Sequence, residues 1–450
     1  MMQADLLIIG SGQGGVPLAV EMAEKGRQVV IFERASWGGS CINYGCTPSK
    51  SFLASAHTAQ TIRDAGRLGI HGQLRINFQA VMDRVREIIS SWSSGVEDRL
   101  SHPNITKVNQ EAVLIDSQTA AAGEEKYRAE QIIINTGKSP FVPPIRCIED
   151  VPFLTYEKFW GMESQPDRMI IVGGGYTGVE LGQGMARLGT EVEILERNQR
   201  IIHREEKQVS ELIQQALAED GVRFHFQADI KAVHHQKGSF LVDLASGQNL
   251  EGDGLLMSTG RKPNTEALFG NGFQLETDQR GHIVVDKHFQ TSAEGIFAIG
   301  DVTGQPAFTH VSWEDHRRLV SILENGGRQQ GDRPLAYAFF TSPQVGRAGL
   351  SLTQAQERGF SAREETLPLN EVARALEVGR TRGFYSMVIE ESSGRILGAT
   401  LIGPQAAELV HILLAHIQTE ATWQDLASAM YIHPAYAEAL PTLARKFHST

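Results

Sequence analysis

An α/β fold followed by a separate α+β segment is predicted on three observations. A short apolar strand, a glycine-rich turn, a helix and a second strand follow one another between residues 4 and 33. The same succession returns between residues 169 and 196. From about residue 335 the pattern changes to strands and then helices, with no further glycine-rich turn.

In the first unit the strand Leu6–Ile9 runs straight into Gly10-Ser11-Gly12-Gln13-Gly14-Gly15. A helix is expected to about Lys25, with Gly26 at its stop, and Pro17 falls in the first turn, where its missing N–H costs nothing. Gly10, Gly12 and Gly15 fit G-x-G-x-x-G. Such glycines make the turn tight and let the backbone approach a pyrophosphate held at the helix N-terminus. Glu33 ends the second strand, Val29–Phe32, where a carboxylate can accept ribose hydroxyls. Alone the motif is weak. The strand before it, the helix after it and the acid at this distance make it a dinucleotide site.

In the second unit the strand at 169–172 leads into Gly173-Gly174-Gly175-Tyr176-Thr177-Gly178, and the strand at 191–195 ends at Glu196. The same 23-position interval separates Gly10 from Glu33 and Gly173 from Glu196, which marks an internal repeat. Two dinucleotide sites suit an electron donor and a bound electron carrier.

Between the repeats two helical stretches are expected. In one, Phe78, Val81, Met82, Val85, Ile88, Ile89, Trp92, Val96 and Leu100 recur at helical spacing, as a core or packing face does. Residues 106–134 alternate short strands and end in Ile132-Ile133-Ile134-Asn135-Thr136-Gly137. The run Leu255-Leu256-Met257-Ser258-Thr259-Gly260 ends in the same way after the second repeat. Each reads as a return strand leaving over a ligand. Gly295-Ile296-Phe297-Ala298-Ile299-Gly300-Asp301 places a carboxylate at a strand's end, to meet a ligand hydroxyl or to cap a helix. Strands are then expected at 336–350, 364–368, 384–390 and 396–402, and helices at 405–419 and 423–430.

The chain's most distinctive stretch is Gly38-Gly39-Ser40-Cys41-Ile42-Asn43-Tyr44-Gly45-Cys46-Thr47-Pro48-Ser49-Lys50. On a straight helix, residues five apart have Cα atoms roughly 8.7 Å apart, whereas a disulfide wants about 4.4–6.8 Å. A bridge therefore needs a bend, and Gly45 is the residue that could supply it. A strained bridge is easily reduced, as a catalytic one must be. A half zinc site and two unpaired thiols are the alternatives. Zinc needs further ligands, no second cysteine pair exists, and no resident metal is expected.

Of 450 residues 41% are hydrophobic and 21% charged, and the net charge of −11 argues against nucleic acid as a partner. No apolar run reaches the roughly 18 residues of a membrane span. Three cysteines do not make a stapled secreted protein, and a strand begins at once without a basic leader, so the cytoplasm is the expected compartment. A disulfide there is more often catalytic than structural.

Taken together, these motifs resemble those of the flavin-dependent pyridine nucleotide–disulfide oxidoreductases, which include dihydrolipoamide dehydrogenase, glutathione reductase and mercuric reductase. The carriers are Gly10 to Gly15, Cys41 to Lys50, Gly173 to Glu180, Thr259-Gly260-Arg261, Gly300-Asp301 and His433-Pro434-Ala435-Tyr436-Ala437-Glu438, in family order over essentially the whole chain. Gly45 to Lys50, Asn135-Thr136-Gly137 and Phe308-Thr309-His310 look most like the mercuric-reductase-like branch. The resemblance implies two Rossmann-like domains: an FAD domain at 1–149 resumed at 266–332, and an NAD(P) domain at 150–265. It also implies a dimerisation domain at 333–450. FAD would be held by Gly10, Gly12, Gly14, Gly15, Glu33, Gly39, Ser40, Lys50, Ala112, Thr136, Gly137, Gly300, Asp301 and His310. NAD would be held by Gly173, Gly175, Tyr176, Gly178, Glu180, Glu196 and Gly260.

The resemblance also implies roles. Cys46 would lie against the flavin as the charge-transfer thiol and Cys41 would exchange with the acceptor. Lys50 and Glu180 would pair near the flavin; taken alone they read as a surface cation and a helix-start acid. Tyr176, otherwise a packing aromatic, would cover the flavin until the nicotinamide arrives. His433 and Glu438 would form the acid–base unit, serving Cys41 of the other subunit in a homodimer.

The acceptor is expected to be a small-molecule disulfide. A diaphorase reducing quinones, Cu(II) or Hg(II), and a thiol redox sensor, are the alternatives. Mercuric reductases carry a C-terminal cysteine pair, whereas Lys446-Phe447-His448-Ser449-Thr450 has none, so inefficient Hg(II) reduction is expected. Glu196 favours NADH, since a carboxylate repels a 2′-phosphate; Arg197, Arg200 and Arg204 nearby could oppose it. Cys147, beside Pro143-Pro144, reads as an incidental thiol, and Arg374, Arg380 and Arg382 as a solvated face.

Overall fold

The computed structural model describes residues 1–324 and 333–448. The domain limit expected at 332 and the terminal Ser449 and Thr450 lie outside the described residues. The first unit is a five-stranded parallel sheet in the order Ile296–Ala298, Gln131–Ile134, Leu6–Ile9, Val29–Phe32, Ile105–Val108. Its central strands are apolar on both faces because both faces are covered. The helix Gly15–Glu24 lies on one face and ends before Gly26, whose φ of 86° lets the chain turn.

The second unit repeats the plan in a four-stranded parallel sheet, Arg223–Phe226, Glu191–Glu196, Arg168–Val172, Gly254–Met257, with the helix Tyr176–Arg187. In both copies the outer glycines are required by packing. A Cβ on Gly10 would stand 2.3 Å from Asn135 O and one on Gly15 2.1 Å from Gly10 O. Gly173 and Gly178 match them, at 2.3 Å from Ser258 O and 2.0 Å from Gly173 O. The chain passes between the units twice, and the passages Lys138–Pro140 and Arg261–Pro263 pair as an antiparallel ribbon.

The C-terminal domain is a five-stranded antiparallel sheet ordered Ala336–Phe339, Gln344–Gly349, Ile396–Gly403, Phe384–Glu390, Ala362–Pro368. One face packs on the helices Ala406–Gln418 and Ala439–Arg445. The other meets the second unit: Phe339, Val345, Phe384 and Ile402 share a core with Val179, Met185 and Ile194. The strand expected at 336–350 is a hairpin, turned at 340–343 with a cis Ser342–Pro343 peptide, because Phe339 pairs back on Val345. The helix expected at 423–430 is Trp423–Ser428, and Ala439–Arg445 was not foreseen.

The helices Cys46–Asp64 and Phe78–Arg99 lie between the repeats. Phe78, Met82, Val85, Val96 and Leu100 are buried as their spacing predicts, but Trp92 of the same stripe is 59% exposed. Gly184 lets the helix Tyr176–Arg187 lie against Cys46–Asp64, where its Cβ would come 2.4 Å from Phe52 Cε1. Phe52 is fully buried and wedged against Phe159 and Trp160, so it cannot swing away. Gly184→Ala is therefore expected to cost about 1–3 kcal/mol of stability, read as a lowered thermal midpoint.

Candidate active site

The thiol stretch is two helices rather than one. Gly39–Asn43 ends at Tyr44, and the next helix begins at Cys46. Gly45 makes the break at φ −107°, ψ −108°, its N–H donating to Ser40 O at 2.6 Å. A Cβ there would stand 3.0 Å from that oxygen, so the tight bend needs glycine. Gly39 in turn lets the segment touch the first glycine turn: its Cβ would fall 2.7 Å from Gly12 Cα.

Both cysteines are free thiols here, hydrogen-bonded to each other. Cys46 is the first residue of its helix, and its Sγ lies 3.3 Å from Oγ1 of Thr309, the first residue of the helix Thr309–Leu323. Two helix N-termini therefore present partial positive charge to one sulfur. The hydrogen bond from Cys41 brings the Cys46 thiol down to about 6, helped by Thr309 and by the charge of Lys50. The same hydrogen bond, with burial, pushes the Cys41 thiol well up. The pair thus carries its first negative charge on Cys46.

Lys50, one helical turn beyond Cys46, holds Glu180 Oε2 at 2.7 Å, and Glu180 Oε1 accepts the Phe340 N–H at 2.7 Å. Lys50 Nζ also lies 4.8 Å from the centre of the Phe340 ring. The Phe340 carbonyl accepts from His57 Nε2 at 3.1 Å, while Arg187 donates to His57 Nδ1 at 2.7 Å. Burial, and then the Arg187 charge, push His57 down to about 4, so it is neutral and structural. The Lys50–Glu180 pair is thereby built from three parts of the chain.

The remaining expected residues surround these groups. Glu33 Oε2 accepts from Ser11 N and Oγ, and Glu196 Oε2 accepts from Gly174 N; both carboxylates are buried and brace the glycine turns. Asn135 ties the first helix in place, its Oδ1 accepting the Gly15 N–H at 2.9 Å. Thr136 Oγ1 donates to Asn264 O, beside Gly137. Ser40 uses its carbonyl for the Gly45 bend, and Ala112 is buried beneath the first sheet. Gly300 donates its N–H to Asp315. Asp301 is not a helix cap: its Oδ2 lies 3.1 Å from Arg261. His310 donates from Nε2 to Ala336 O at 2.7 Å, and burial lowers its pKa. Arg374 and Arg382 pair with Glu377 and Glu219, and Arg380 donates to Thr61.

His433 lies apart from this cluster in one chain. Its Nδ1 is 2.8 Å from Glu438 Oε2, and its side chain is 71% exposed beside the exposed Met430 and Ile432. Phe340 and His57 were missed by sequence reasoning, and Thr309 and Arg261 fell within motifs but were given no role. Phe340 and His57 carried no signal in the sequence. Among the described residues no cluster of three or more His, Cys, Asp or Glu is placed to hold a metal ion. No described helix is long and apolar enough to cross a membrane.

The residues present fit the expected cofactors. The packing glycines shape two identical turns, whereas a Cβ on Gly137, Gly175 or Gly260 would meet nothing within 4 Å. Those three positions are open toward space that protein does not fill, at the carboxyl ends of the parallel strands where nucleotides bind.

Two nucleotide turns and a polarised thiol pair define a flavin- and nicotinamide-dependent redox enzyme. The chain belongs to the pyridine nucleotide–disulphide oxidoreductases, whose family matches residues 4–315 and whose dimerisation domain matches residues 335–444. It is 32% identical to a mercuric reductase of Acidithiobacillus ferrooxidans, over 98% of this chain and 82% of that one. It is 30% identical to a dihydrolipoyl dehydrogenase of Halobacterium salinarum, over 97% and 94%. Among solved structures, a Cu(II) complex of the HOCl-induced flavoprotein disulfide reductase RclA from Escherichia coli superposes with a TM-score of 0.91. That match has 29% identity and covers 99% of this chain and 100% of that one.

Proposed function

We propose that the chain takes electrons from NADH and delivers them through Cys46 and Cys41 to a small-molecule disulfide, working as a cytoplasmic homodimer with a shared site. The observation that carries this is the asymmetry of the pair: Cys46 sits at two helix N-termini and Cys41 at neither. FAD, when bound, supplies the two-electron relay between nicotinamide and thiols; Gly12 to Gly15, Glu33, Thr136, Gly137, Lys50, Asp301 and His310 would hold it.

The chain's own residues then divide the work. Cys41, losing its proton to His433 of the partner subunit, attacks the acceptor: a Cys41–sulfur bond forms and the acceptor's S–S bond breaks. The departing thiolate takes that proton back. The Cys46 thiolate then attacks Cys41 Sγ, closing the Cys41–Cys46 bridge and releasing the second half of the acceptor as a thiolate, which takes its proton from solvent. One acceptor disulfide is reduced and one protein dithiol oxidised. Gly45 allows the closure by bending the chain between the two sulfurs. The exposed apolar Met430 and Ile432 next to His433 support a partner subunit over this segment.

NADH is the preferred donor on this reading. The buried Glu196 carboxylate would meet a 2′-phosphate unfavourably, and Arg200 is held by the carbonyls of His203 and Glu205. A metal ion is the second reading, favoured by the Cu(II) complex of the RclA neighbour. One experiment tests both: the purified yellow protein is screened with NADH and NADPH against lipoamide, oxidised glutathione, Cu(II), Hg(II) and quinones. A disulfide is expected to give the highest kcat/KM, with NADH ahead of NADPH. A metal ion or quinone ahead of every disulfide refutes the first reading, and an NADPH advantage refutes the donor assignment.

A further inference from the structure

A buried ionic contact lies outside the thiol machinery. Glu205 stands in the loop after the strand Glu191–Glu196, its side chain fully covered, and its Oε2 pairs with the equally buried Arg347 at 3.1 Å. Its Oε1 accepts from two phenols, Tyr176 at 2.5 Å and Tyr337 at 2.7 Å. Tyr337 and Arg347 are cross-strand partners in the C-terminal sheet, while Glu205 and Tyr176 belong to the second nucleotide unit. A buried carboxylate must be paired, and Arg347 already does so. The phenol of Tyr176 is not needed to neutralise Glu205, so the contact calls for another explanation.

Tyr176 opens the helix directly after the second glycine turn, and its ring stacks on the buried Phe339, centroids 5.1 Å apart at 28°. The backbone beside it is open, at Gly175. We propose that Glu205 is a positioning residue that tethers the Tyr176 ring in its covering position, so that an arriving nicotinamide must break the Tyr176–Glu205 hydrogen bond. This rests on the reading of Tyr176 as the ring that covers the flavin. Arg347 and Tyr337 complete the device: they keep Glu205 bonded when the ring leaves, so no orphaned buried charge opposes the movement. The C-terminal domain thereby sets how readily the nucleotide unit admits its ligand.

The apparent affinity for a ligand that displaces the ring is reduced by the fraction of molecules with the ring out. Removing a hydrogen bond to a charged acceptor should raise that fraction about tenfold. The test is calorimetric binding of NAD⁺ and of ADP-ribose to the oxidised, FAD-loaded protein, where no turnover occurs. ADP-ribose lacks the nicotinamide and has no need to move the ring. Tyr176→Phe is expected to bind NAD⁺ about tenfold more tightly with ADP-ribose unchanged, and Glu205→Gln to shift NAD⁺ in the same direction. Tyr337→Phe, which leaves Oε1 to Tyr176 alone, should not tighten NAD⁺. If Glu205→Gln fails to fold because Arg347 is stranded, Tyr176→Phe decides alone. Equal shifts for both ligands, or none for either, overturn the tether. Tyr176→Ala separates the two failures. If it tightens NAD⁺ while Tyr176→Phe does not, the ring covers the site but is not tethered. If it too leaves NAD⁺ unchanged, the covering reading itself is wrong.

Discussion

Cys41→Ser is expected to lower disulfide reduction by about 10³-fold or more, the scale of losing a nucleophile that no neighbour replaces. Cys46 does not substitute on this reading, because its sulfur, held against Thr309, performs the second step, the attack on Cys41 that closes the bridge. NADH-dependent reduction of quinones should survive, since no thiol exchange enters it. A protein that keeps its best physiological activity after Cys41→Ser is a diaphorase, and the thiol reading fails. Steady NADH turnover in the unmodified protein excludes a pure redox sensor.

The same position tests the electrostatics. Cys46 titrates near 6 chiefly because Cys41 donates a hydrogen bond to it. A serine can still donate; an alanine cannot. In Cys41→Ser, alkylation of Cys46 by iodoacetamide should therefore fall off as the pH drops through about 6, where the thiolate takes its proton. In Cys41→Ala the fall-off should move up toward the ordinary thiol value of 9.0. Peptide mass spectrometry separates Cys46 from the exposed Cys147. Identical profiles in the two variants would show that the helix N-termini, and not Cys41, hold the thiolate.

What the sequence made legible was local. Strand, glycine turn, helix and strand lie within some thirty residues, and their glycines are forced by contacts inside the unit, as Gly15 against Gly10 O shows. The bend at Gly45 was legible for the same reason. What escaped depends on where distant segments come to rest. Phe340 reaches Glu180 across 160 positions and Arg347 reaches Glu205 across 142, and no periodicity connects them. The hairpin at 336–349 was missed although its turn is marked in the sequence, where Ser342-Pro343 interrupts the β-prone run. Asp301 was read as a ligand acceptor or a cap; it is not a cap, and its ion pair with Arg261 escaped because no local pattern connects those two positions.

His433→Gln is expected to slow disulfide reduction by roughly 10²- to 10⁴-fold, the usual share of a general acid–base group. The geometry says how. Glu438 takes the Nδ1–H of His433 at 2.8 Å and so fixes the tautomer, leaving Nε2 as the nitrogen for a sulfur. Nε2 is then the atom that takes the proton Cys41 gives up. The Cys41 thiol needs such help, being pushed up by Cys46 and by burial. Within one chain His433 sits at an exposed, apolar edge with Met430 and Ile432, and on the proposed reading the sulfur it serves belongs to the partner subunit. Flavin reduction by NADH, watched by stopped-flow absorbance, should be nearly unchanged in the variant, because no step before the thiol exchange uses His433. Mixed dimers give the sharper result. A dimer of one His433→Gln chain and one Cys41→Ser chain keeps a single intact pair if the histidine acts across the interface, and so should retain about half the activity. If the histidine acts within its own chain, that dimer should be inactive.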